Sequence, residues 1–121
     1  MKISIGNHLK MHVHKDLKPK VIEFYETILG CKRLTSSSPA GEVFIFEGNF
    51  FLGIAFLEKA NILSEQDLLK AAWMELKTED PEKLKERLQK FGVKEVDYHD
   101  KDHFYFQAPG GQVFRLNTLD G

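Results

Sequence analysis

The amino-acid sequence predicts an α+β protein in which two βαβββ modules form a mixed, curved sheet around a cleft, with the helices on the outside. Three observations carry the prediction. A helical segment occurs twice, once from Pro19 to Gly30 and again from Pro81 to Gly92. Residues that alternate apolar and polar stand before each copy, as half-buried strands require. Each copy is followed by further strand-like runs separated by turn formers.

The elements are justified in order along the chain. Leu9, Met11 and Val13 alternate with Lys10, His12 and His14, which gives a first strand with one core face and one polar face. Pro19 suits the first helical turn, where a missing N–H costs nothing, and Gly30 suits the left-handed residue after the last. Between them Val21, Phe24, Tyr25, Ile28 and Leu29 follow helical spacing, so the helix has one stripe to bury. Strands are expected over Cys31 to Ser36, Glu42 to Phe46 and Phe50 to Leu57, the last two joined by the turn Glu47-Gly48-Asn49. Lys59 to Lys70 reads as a polar linker containing one helical turn.

The second module repeats this order. Met74 and Leu76 alternate with Trp73, Glu75 and Lys77. Asp80 is placed to cap the second helix, whose stripe is Leu84, Leu88 and Phe91. Strands are then expected over Val93 to His99, His103 to Gln107 and Gln112 to Asn117, with Ala108-Pro109-Gly110-Gly111 as the final turn. The predicted organisation is one domain over 1–121, with module one over 8–58, a linker over 59–70 and module two over 71–118.

Composition narrows the function classes. The 121 residues suit a single hydrophobic core, and 42% apolar with 29% charged residues is an ordinary globular balance. Seventeen basic side chains against eighteen acidic ones leave a formal charge of −1, with no basic stripe of the kind that grips nucleic acid. The longest apolar run, around Phe50 to Leu57, falls far short of the ~20 residues of a membrane span. The first residues lack the apolar core of a signal peptide, so a cytoplasmic location is expected. Cys31 stands alone, which excludes an internal disulfide and any multi-cysteine metal cluster, and it reads as a small apolar strand residue.

Two segments carry a family resemblance. Phe24-Tyr25-Glu26-Thr27-Ile28-Leu29-Gly30 resembles the first-helix signature of the vicinal-oxygen-chelate superfamily, and Ala108-Pro109-Gly110-Gly111-Gln112-Val113-Phe114-Arg115-Leu116 resembles its last hairpin. That superfamily includes glyoxalase I, extradiol dioxygenases, methylmalonyl-CoA epimerase and the bleomycin-resistance proteins. The resemblance runs from about Leu9 to Asn117 and implies a cleft lined by both modules, holding a divalent ion in the metal-dependent members. It also implies a homodimer, since modules of this kind leave sheet edges to be covered.

The resemblance also locates the ligand positions. Counting back from Phe24-Tyr25 puts Lys10 at the first, and counting back from Gly92 puts Trp73 at its counterpart. Arg115 stands at the place of the family's glutamate, and the remaining position falls on Ala55 or Gly53. None of these side chains offers the oxygen or neutral nitrogen that a divalent ion needs. The expectation is therefore no metal cofactor, and a cleft whose ligand-binding residues are Lys10, His12, Trp73, Glu75, Tyr105 and Arg115. The alternative is an off-register site made from His8, His12 and His14, which share one face of a regular strand, together with Glu75.

Several of these residues have two readings that the sequence leaves open. Trp73 either stacks on the flat ring of a ligand or fills the sheet's own interior. Arg115 either clamps a carboxylate or phosphate bidentately or pairs with Glu75. Tyr105 is placed to bring its hydroxyl to the cleft.

Three functions compete on this basis. One is a metal-free protein binding a small anionic or aromatic molecule. Another is a metal-dependent lyase, isomerase or dioxygenase using the histidine site. The third is acid–base catalysis by His12 with Glu75. The fold alone does not choose among them.

Overall fold

The computed structural model describes residues 1–35 and 41–121. The chain divides into two compact units, Met1–Ile62 and Leu63–Gly121, and the division falls inside the predicted linker.

In the first unit, strand β1 (His8–His14) leads into a 3-10 turn at Lys15–Leu17 and helix α1 (Lys18–Ile22). The ring of His14 starts this passage, its Nδ1 accepting the backbone N–H of Asp16 at 3.0 Å. Beyond Ile22 the helix widens into a π turn over Glu23–Ile28, with the N–H of Leu29 bonded to the carbonyl of Phe24 at 3.0 Å. An ordinary helix was expected through this stretch. The wider turn accommodates two adjacent aromatic rings, Phe24 and Tyr25, both fully buried and edge-to-face at 4.9 Å.

Strands β2 (Lys32–Thr35), β3 (Gly41–Phe46) and β4 (Phe50–Leu57) complete the unit. Ser36, expected at the end of β2, lies outside the described residues. The sheet order is β1-β4-β3-β2, with β1 parallel to β4 and the other pairs antiparallel. Val13, Val21, Phe44, Leu52 and Ile54 join the two helix rings in the core, and Phe44 packs on Tyr25 at 5.1 Å. Each such side chain contributes about 1.5–3 kcal/mol by leaving water.

The second unit opens with helix α2 (Glu65–Leu68), the helical turn expected in the linker, started by a reciprocal cap between Ser64 and Asp67. Strand β5 (Trp73–Thr78) and helix α3 (Pro81–Phe91) follow. Asp80 caps α3 by accepting the N–H of Lys83 at 3.0 Å, and Gly92 ends it at φ 95°. Then come β6 (Lys94–Glu95), β7 (Tyr105–Gln107) and β8 (Val113–Thr118), in the order β5-β8-β7-β6 with β5 parallel to β8. Both units therefore share one strand order, the structural form of the sequence repeat. The result is an α+β fold of two similar modules.

One expected element is largely missing. Of the strand predicted over Val93 to His99, Lys94 and Glu95 pair with β7 and Val96 adds one N–H to the carbonyl of Tyr105 at 2.9 Å, after which the chain runs as an irregular loop to residue 104. His103 and Phe104, expected to begin the next strand, lie at the end of that loop, although the carbonyl of Phe104 already accepts the N–H of Leu116 on β8 at 3.0 Å. Asp100 accounts for part of this, because its carboxylate accepts the N–H of Asp102 at 2.9 Å and so competes with a sheet ladder for the backbone.

Candidate functional site on the second sheet

The register of the second sheet sets the site. Glu75 on β5 pairs with Arg115 on β8, and Arg115 pairs with Tyr105 on β7, so one row across three strands carries all three side chains on one face. The neighbouring row, Met74, Phe114 and Phe106, faces the other way. There Phe106 and Phe114 stack at 5.6 Å in the core on which α3 lies.

On the first face Arg115 is surrounded. Its Nη2 donates to Glu75 Oε2, which also accepts from Asn117 Nδ2 at 3.2 Å. Its Nη1 is 3.9 Å from Asp100 Oδ2. Trp73 lies over the guanidinium, with Cζ 4.3 Å from the ring centroid, in cation–π geometry. The indole also meets Tyr105 edge-on at 5.7 Å, and Tyr98 lies 4.6 Å from Tyr105 on its other side. Arg115 Nε is buried without a hydrogen-bond partner among the described residues.

The titrating groups follow from these contacts. Hydrogen bonds from Arg115 and then Asn117 hold the Glu75 carboxyl below the ordinary carboxylate range. Asp100 is held at about 2, first by the N–H of Asp102 and then by the Tyr105 hydroxyl and the His103 ring. Burial, followed by the bond to Asp100, pushes the Tyr105 phenol up. A carboxylate that is stabilised in its ionised form is a weaker base than an unperturbed one.

Of the residues selected from sequence, Trp73, Glu75, Tyr105 and Arg115 come together on this sheet. Lys10 and His12 stand on β1 of the first unit, where Lys10 pairs with Gly53 and His12 with Ala55. Tyr105 turns its hydroxyl to Asp100, donating at 2.9 Å. Asp100, Tyr98, Asn117 and His103 belong to the same network and were missed. Asp100-Lys101-Asp102 is a turn-forming sequence and could have been recognised as one; it was obscured by extending the preceding strand to His99.

The residues at the superfamily's ligand positions do not fit a divalent ion. Lys10 stands opposite a glycine, and Trp73 and Arg115 are stacked on each other. Within the alternative set, the His8 ring stacks on Phe51 at 4.8 Å, His14 Nδ1 is used by Asp16, and Glu75 is taken by Arg115 and Asn117. Among the described residues no group of three or more His, Cys, Asp or Glu is placed to hold a metal. Nor is any helix among them long and apolar enough to cross a membrane.

These elements, in this order and doubled, define the vicinal-oxygen-chelate fold. Comparison with solved structures bears this out. A possible glyoxalase from Bacillus cereus superposes with a TM-score of 0.68 at 22% identity, over 93% of this chain and 98% of that one. The fosfomycin resistance protein FosX from Listeria monocytogenes gives 0.70 at 17% identity, over 97% and 92%. TnmS3, an antibiotic binding protein from Streptomyces sp. CB03234, gives 0.69 at 20% identity, over 98% of each chain. No protein-family model matches the chain, and no curated protein sequence does. At these identities the likeness establishes the fold.

Proposed function

We propose that this protein binds a small planar aromatic molecule on the second sheet, with Trp73 and Tyr98 as its stacking surfaces and the buried Tyr105 holding both rings in place, and that no metal takes part. The observation that carries this reading is the position of Trp73. It is 36% exposed and held over a charged side chain instead of being packed in the core. An indole clamped in this way loses little freedom when a flat ligand covers it, which is the condition for efficient stacking.

Charge sets the second property of the ligand. Arg115 faces two carboxylates, Glu75 and Asp100, so a carboxylate ligand competes with groups already in place. A neutral or cationic aromatic does not. The buried Nε of Arg115 supports a narrower second reading, in which an anionic oxygen of the ligand displaces Glu75 and takes both guanidinium edges. In either case the chain acts as a homodimer, covering outer strands such as β1 or β5 with a second copy.

Trp73 is the chain's only tryptophan, so its fluorescence reports on this face directly. Titration with 2-naphthol, 2-naphthylmethylammonium and 2-naphthoate varies charge on a constant ring. Saturable quenching by the first two, lost in Tyr98→Ala, supports the aromatic site. Preferential binding of naphthoate that disappears in Arg115→Ala selects the anion reading. Quenching that never saturates with any of the three refutes both.

A further inference from the structure

Asp100 gathers more than the sheet face requires. Its Oδ2 accepts from Tyr105 and also meets His103 Nδ1 at 2.8 Å, while Oδ1 holds the N–H of Asp102. An ionised carboxylate has no proton to give, so the hydrogen of the His103 contact belongs to Nδ1, and in the neutral form of the ring Nε2 carries the lone pair. In that form His103 is a hydrogen-bond acceptor whose tautomer Asp100 fixes.

His103 lines a cavity of about 350 Å³ on the α3 side of the second unit, between the first turn of that helix and the end of β8. Lys85 lies over Phe104 there, Nζ 5.1 Å from the ring centroid, and makes no ion pair among the described residues. Lys101, on the same wall, is already paired with Asp97. Thr118 brings a hydroxyl from β8, and Glu82 and Asp102 bring carboxylates from α3 and the loop. The cavity therefore offers one uncommitted cation and several acceptors, which a ligand satisfies only by bringing negative charge and a hydrogen of its own.

We propose that this cavity is a second binding site, for a small oxyanion that carries its own O–H, such as hydrogen phosphate, a phosphate monoester or a hydroxycarboxylate. The anionic oxygen meets Lys85, and the O–H is donated to His103 Nε2. Selectivity follows from the acceptor. Sulfate matches phosphate in size and shape but has no proton to donate at neutral pH, so it leaves Nε2 unpaired.

The test is NMR of the imidazole rings of the full chain, with His103 identified among the five histidines by loss of its signals in His103→Gln. Inorganic phosphate and sulfate are titrated at matched ionic strength and neutral pH. The expected result is a saturable shift confined to His103, at least about tenfold weaker for sulfate, and weakened about tenfold in Lys85→Met but largely kept in Lys85→Arg. Equal responses to the two anions, an unchanged response in a folded Lys85→Met, or no saturable shift with phosphate overturns the proposal.

Discussion

Replacing Gly111 with alanine should cost this protein a large share of its stability, for two separable reasons. Gly111 adopts φ 115°, which L side chains rarely do, and a Cβ there falls 2.5 Å from Leu68 Cδ1. A side chain forced into positive φ costs about 1–3 kcal/mol, and displacing the half-buried Leu68 side chain adds about 1 more, giving roughly 2–4 in total. Against the 5–15 kcal/mol that holds a typical domain, this lowers the melting temperature by on the order of 10 °C or more. Gly92, at φ 95° with nothing within 4 Å of a built Cβ, isolates the backbone part, so Gly92→Ala should lose only about 1–3 kcal/mol. Trimming the obstruction isolates the other part: in the Leu68→Ala background, the added cost of Gly111→Ala should fall toward that of Gly92→Ala. Urea unfolding followed by Trp73 fluorescence and by circular dichroism supplies the four free energies. If Gly111→Ala costs no more than Gly92→Ala, or the Leu68 and Gly111 changes simply add, the steric argument is wrong. The turn also matters to the site. Gln107 Nε2 ties the carbonyls of Glu65 and Gly111, and Glu65 Oε2 accepts the N–H of Gly110, so α2 holds the β7–β8 turn that positions Tyr105 and Arg115.

Burial pushes the Cys31 thiol up to about 12, so it should resist a disulfide reagent at pH 8 in the native state and react fully in denaturant. Stoichiometric native labelling would contradict the burial of Cys31. Asp100 titrates at about 2 when folded against an ordinary 3.8. The stability it lends is complete above that ordinary value and drains away as pH falls from about 4 toward 2. Melting temperatures across that window should flatten in Asp100→Asn, and an unchanged profile would remove Asp100 from the network. Asp80→Ala should cost about 1 kcal/mol by uncapping α3, and Asp80→Asn much less. Equal losses for the two in thermal melts would point away from the cap.

Residues whose role depends on local rules were legible. The period of two in Trp73–Thr78 put Trp73 and Glu75 on one face, and the register with β8 keeps them there. The pairing of Arg115 with Glu75 was one of two readings, and no local rule could choose it. The two residues are forty positions apart, and their contact depends on β8 lying parallel to β5 in one register. The loop of residues 97–104 was illegible for a different reason. Val93, Val96 and Tyr98 have strand-forming side chains, yet Asp100 spends its carboxylate on the backbone N–H of Asp102 and on His103 and Tyr105. A side chain that satisfies its neighbours' donors outcompetes a ladder that propensity alone favours.

The sequence by itself determined the doubled order of strands around each helix, the helix ends at Asp80 and Gly92, and the shared face of Trp73 and Glu75. Those features follow from steric and hydrogen-bonding rules that act within a few residues. Tertiary structure alone decided that the arginine of the second sheet is clamped between two carboxylates under an exposed indole, and that an aspartate in a loop couples Tyr105 to His103. These depend on which strands become neighbours, and that choice is made by burying apolar surface over the whole unit.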